Sequence, residues 1–132
     1  MTGKFVMANE TELEDIGWGR SRVVSNRPAT GAQQLAVSDL AIYPGMGHNF
    51  HKHPNQEEVV YVLAGTIEQW IDQEKRILGI GDSAFIPADV VHATFNVGEA
   101  DAQLVVILGP CVGPTGYEVV DMSDVAPWKT LR

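Results

Sequence analysis

Three of the four histidines in this chain sit where strands can turn them into a metal site. His51 and His53 are two residues apart. Side chains along a strand alternate between faces, so both imidazoles point to one side with Cα atoms roughly 6–7 Å apart, near enough for one ion to bridge them. Glu58 begins the run Glu58-Val-Val-Tyr-Val-Leu and shares a face with Val60 and Val62. A carboxylate that heads an apolar strand needs a partner. His92 follows only after a further hairpin and Pro87, and spacing alone does not bring it to the others.

The elements that must position these side chains read as β throughout. From Val23 to Leu108 the chain is a series of short apolar or alternating runs broken by Gly, Pro, Asn and Asp, with no stretch of helical period. The pattern predicts strands at 20–25, 34–43, 48–53, 57–63, 66–71, 75–78, 83–86, 92–96 and 103–108. Pro44-Gly45, Ala64-Gly65 and Asp72-Gln73-Glu74 are the expected turns. Many short strands with frequent turns predict a barrel or a sandwich. Residues 1–18 form an acidic, weakly patterned arm, with Glu10, Glu12, Glu14 and Asp15 on a solvated face. Residues 110–132 form an irregular tail with a short strand at 117–120.

On a regular strand His48 lies on the face opposite His51 and reads as a rim or loop residue. Glu57 also faces away from the histidine pair, towards solvent. Phe50, Tyr61, Trp70, Phe85 and Phe95 read as core packing before they read as pocket lining.

The chain has 132 residues, 45% hydrophobic and 20% charged, which fits one soluble globular domain spanning 1–132. With a net charge of −8 and nine scattered Lys and Arg, it has nothing to neutralise a phosphate backbone, so nucleic acid is not an expected partner. The first residues lack the apolar core of a signal peptide, and no run approaches the ~18 apolar residues of a membrane span. No membrane association is expected, and a cytoplasmic location is. Cys111, the single cysteine, reads as a buried thiol.

Residues 45–65, GMGHNFHKHPNQEEVVYVLAG, match the first cupin motif, G(X)5HXH(X)4E(X)6G, through Gly45, His51, His53, Glu58 and Gly65. Residues 81–96, GDSAFIPADVVHATFN, resemble the second, G(X)5PXG(X)2H(X)3N, through Gly81, Pro87, His92 and Asn96. Asp89 stands where the family has a glycine, and Asp is one of the few other residues that tolerate a left-handed turn.

The resemblance implies an all-β cupin jelly-roll barrel, or double-stranded β-helix, in which His51, His53, Glu58 and His92 hold one divalent transition metal. It also implies a homodimer. Three imidazoles and a carboxylate suit iron, manganese, nickel, copper or zinc and leave coordination positions free. The leading expectation is a dioxygenase-type oxidoreductase acting on a small organic molecule. An isomerase or lyase using the metal as a Lewis acid is the alternative enzyme. A binding or sensing module without turnover is the third reading, favoured by the absence of an obvious general base.

Overall fold

The computed structural model describes residues 2–132, so of the expected arm only Met1 lies outside the described residues. Eleven strands follow in chain order: β1 Glu14–Asp15, β2 Gly19–Ser25, β3 Ala36–Ile42, β4 Gly47–Lys52, β5 Glu57–Ala64, β6 Ile67–Ile71, β7 Glu74–Leu78, β8 Ser83–Ile86, β9 His92–Asn96, β10 Ala102–Gly109 and β11 Val120–Asp121. They build two antiparallel sheets, one in the order β1-β2-β3-β10-β5-β8 and the other β11-β4-β9-β6-β7. This is the jelly roll.

Alternation along β5 shows why the sheets close on each other. Glu58, Val60 and Val62 are buried, while Glu57, Tyr61 and Leu63 are exposed. Val60 and Val62 meet Ile42, Ile67, Ile86 and Leu104 in the main core between the sheets. Each such fully buried aliphatic side chain contributes about 1.5–3 kcal/mol. At the end of β5, Gly65 has φ +82, and a Cβ there would sit 2.8 Å from the Cα of Ala102. Only glycine lets β5 turn this close to the start of β10.

The second sheet is covered on both faces. All five residues of β9 are buried. Phe50, Trp70, Ala93 and Phe95 form a cluster on its outer side, against which Met122, Trp128 and Leu131 of the tail pack. Arg132 stacks over the Phe95 ring at 3.6 Å and pairs with Glu68. These aromatic residues are therefore core, as the sequence suggests, while Tyr61 and Phe85 lie exposed outside the first sheet.

Three local elements depart from the expectations, the first being β1, which lies within the expected arm and pairs with Ser21 and Arg20 of β2. The strand expected at 117–120 is displaced to β11, Val120–Asp121, which pairs with Lys52 and His51 of β4. Glu118 cannot join a ladder because both its backbone groups have other partners. Its N–H donates to Gln56 Oε1, and its carbonyl accepts from His53 Nδ1. Between β2 and β3 a single helical turn, α1 (Arg27–Thr30), replaces the expected loop. It is capped by Asn26 accepting from the Ala29 N–H and closed by Gly31 at φ +74.

Candidate metal centre

His51 and His92 are direct cross-strand partners on β4 and β9 of the second sheet. Glu58 reaches them from β5 of the first sheet, and His53 lies just past the end of β4. One atom from each of the four side chains lies within 4.8 Å of every other. Two donors on opposite sides of a transition-metal ion, each ~2.0–2.2 Å away, are at most ~4.4 Å apart. The cluster is thus a few tenths of an ångström from the spacing of a filled site. All four residues are buried.

The three histidines are oriented by the backbone. Nδ1 of His51 lies 2.6 Å from the Asn49 carbonyl, Nδ1 of His53 lies 2.6 Å from that of Glu118, and Nδ1 of His92 lies 3.0 Å from that of Val90. A carbonyl only accepts, so each Nδ1 carries the proton and each Nε2 carries a lone pair. Nε2 of His53 lies 2.9 Å from Glu58 Oε1. Nε2 of His92 is 3.2 Å from the same oxygen, too poorly aligned for a hydrogen bond, and is a buried nitrogen without a partner. Buried polar atoms rarely go unpaired. A cation coordinated at this point satisfies it, so the residues present fit a divalent metal.

The neutral state of His51 agrees with that fit. Burial, reinforced by His48 and His92, pushes the His51 pKa down to about 2, leaving the imidazole neutral. Burial by itself would raise Glu58, but the imidazoles of His53 and His92 outweigh it and hold the carboxyl below the usual carboxylate range. Burial would likewise depress His92, and the adjoining Glu58 reverses the shift upward.

The structure corrects the placement of His48. His48 pairs with Thr94 and His51 with His92, so three steps along β4 face only two along β9. That extra residue is a β-bulge, and it turns His48 onto the same face as His51. Its ring stacks on His51 with centroids 3.5 Å apart, and Trp18 stacks on the other side at 5.0 Å. Burial pushes its pKa down to about 4. Glu57, in contrast, is exposed as expected.

The cluster opens into a cavity of about 380 Å³ between the sheets, floored by Ile42, Val60 and Leu104 and walled by Leu40, Val106 and Trp18. This lies within the usual range for small-molecule sites. Tyr117 also lines it, its ring 5.2 Å from that of His53. Burial and the nearby Glu58 raise the Tyr117 phenol.

Behind the ligands is a supporting layer that sequence reasoning missed. Gln56, 1% exposed, donates to the carbonyls of Pro110 and Gly116 and accepts from Glu118 N–H. It thereby holds the carbonyl that orients His53. Asn96 donates to the carbonyls of Ile42 and Ala100 and accepts from Gly98 N–H, so this motif residue ties strand ends together and stays away from the metal. Asp89 has φ +66, its N–H donates to the His53 carbonyl, and its carboxylate pairs with Lys52 at 3.0 Å. The left-handed turn survives the loss of glycine. The one available signal for Gln56 was its position between two ligands, and glutamine is otherwise a surface residue.

Fold and site together define a small barrel built around a His-His-Glu-His cluster. The family model described as Cupin domain matches residues 39–108, and the chain belongs to the cupins. Among curated relatives it is 37% identical over 126 residues to "Polyketide synthase CurC" of Streptomyces cyaneus, covering 96% of this chain and 82% of that one. It is 36% identical over 106 residues to "Protein SchB" of Streptomyces halstedii, covering 80% and 77%. Among solved structures, KdgF from Halomonas sp. superposes with a TM-score of 0.73 at 23% identity, covering 83% of this chain and 94% of that one, a likeness of fold. No helix among the described residues is long and apolar enough to cross a membrane.

Proposed function

We propose that this cupin is a metal-dependent enzyme that transforms a small organic molecule in the cavity between its sheets, with dioxygenase-type oxidation as the reaction. One observation carries the reading: His51, His53 and Glu58 present their donor atoms to the wall of an apolar cavity of about 380 Å³. When bound, a redox-active divalent metal supplies activation of an enol oxygen and of O₂ in the same place.

The chain's own residues do the rest. Carbonyls of Asn49, Glu118 and Val90 hold the imidazoles in the ligating tautomer. Leu40, Leu104 and Val106 line the space beside them and exclude water from the reacting atoms. Resemblance to a protein named a polyketide synthase supports a polyketide-derived molecule as the occupant.

A second reading, a Lewis-acid isomerase or lyase, is favoured by His48. Its neutral imidazole faces the cavity beside His51 and can take or deliver a proton, the role for which sequence inspection found no candidate. The two readings separate on oxygen. The full chain loaded in turn with Fe(II), Mn(II), Ni(II) and Zn(II) is incubated with candidate enols in air and under argon. Oxygen uptake matched to product, abolished under argon and by Glu58→Gln, is the expected result. Turnover that persists under argon selects the second reading, and a metal-loaded chain that binds enols without turnover selects a binding module.

A further inference from the structure

The charge pattern of the cavity says what kind of molecule it takes. Among the described residues no Lys or Arg lines it, and Glu58, the one lining carboxylate there, belongs to a chain of net charge −8. An anionic group placed away from the metal would lose its water without gaining a counter-charge. Beside Glu58 the polar lining groups are hydroxyls, imidazoles and the Asn26 amide. Ser25, Thr94 and Thr115 are already bonded within the protein, to Thr30, Gln69 and the Tyr117 carbonyl. The side chains of Ser21, Ser38, His48 and Tyr117 make no hydrogen bond among the described residues and face the cavity. Around them the walls are aliphatic, and Trp18, His48 and His51 stack face to face in a column that borders the cavity with its ring edges.

We propose that the occupant is an uncharged, mainly apolar molecule with hydroxyl or keto oxygens, packed against the aliphatic walls and the edge of Trp18 with one oxygen turned towards the metal cluster. Molecules that would place a carboxylate in the cavity away from the metal are disfavoured as occupants. The proposal deepens the reading above and rests on it. The bulge in β4 brings His48 to the cavity, because without it the ring would point away. Ser21 and Ser38, on neighbouring strands β2 and β3, offer further hydrogen bonds to its oxygens.

Two probes that present the same diol to the metal and differ only at the far end test this. 2,3-Dihydroxynaphthalene and its 6-sulfonate are titrated calorimetrically into the zinc-loaded full chain, with zinc content measured on each sample. The neutral diol is expected to bind at least about tenfold more tightly than the sulfonate, as burial of an unpaired charge requires. Trp18→Ala is expected to weaken the neutral diol at least about fivefold with zinc content unchanged, and Trp18→Phe to restore most of the loss. Equal or tighter binding of the sulfonate, or no binding of either probe, overturns the proposal. A chain that takes up no zinc yet still prefers the neutral diol sinks the metal reading and leaves the pocket assignment standing.

Discussion

Each imidazole of the cluster spends its Nδ1 proton on a backbone carbonyl, so the ligating nitrogen is chosen before any metal arrives. Glu58 then contributes the one carboxylate among three imidazoles. Glu58→Gln keeps the shape and removes the negative charge, so affinity for Zn(II) is expected to fall at least about tenfold while the far-ultraviolet circular dichroism stays unchanged. Unchanged zinc affinity would show that Glu58 is not a ligand. The buried histidines also make stability depend on pH. The pKa values of His48 and His51 in the fold, about 4 and about 2, lie below the ordinary 6.5. The unfolded chain therefore binds more protons between these values. Stability from these two groups is complete above pH 6.5 and is lost as pH falls, through about 4 for His48 and about 2 for His51. His92, raised by Glu58, works in the other direction: its contribution is present below pH 6.5 and is lost as pH rises through its folded value. Melting temperatures of the metal-free chain are expected to drop between pH 6.5 and 4.5, and less steeply in His48→Phe. Parallel slopes in the two proteins would remove His48 from this account.

At the scale of elements, one inserted residue and one buried amide shape the site. The β4 bulge places His48 and His51 on a common face, while Phe50, next to His51, faces the outer aromatic cluster. Gln56 connects the turn before β5 to residues 110–118 through three hydrogen bonds and so fixes the Glu118 carbonyl on His53. Gln56→Ala is expected to cost about 1–3 kcal/mol in denaturant unfolding, because it strands buried carbonyls, and to weaken zinc binding about 10–100-fold. A stability loss with full zinc affinity would mean that Gln56 supports the barrel and not the ligand. The shift of the tail strand to Val120–Asp121 has the same origin, since the backbone of Glu118 is committed to Gln56 and His53.

Across the whole molecule the cluster is a seam. His51 and His92 belong to the second sheet and Glu58 to the first, so an ion held by all of them ties the two layers together. A ligand that binds only the folded state adds about 2.7 kcal/mol at a hundredfold excess over its dissociation constant. Zinc loading is therefore expected to raise the melting temperature by roughly 5 °C or more, and EDTA to reverse it. No shift on loading would argue that the metal, if bound, does not bridge the sheets.

Much of this architecture was legible in the chain itself. Alternation in Glu58–Leu63 marks a strand with one buried face, the two-residue step from His51 to His53 marks a shared side, and glycines and prolines mark the turns. These are local facts, set by backbone geometry and side-chain period. The tertiary structure alone decided the rest. A bulge is defined by the register of β4 against β9, and that register comes from pairing across the sheet. Gln56 and the Glu118 carbonyl meet only after the tail folds back, and Trp18 reaches His48 only when β2 has taken its place beside β3. Contacts between residues far apart in sequence depend on how the layers close, so the ligands could be read from the chain while the aromatic column and the supporting layer could not.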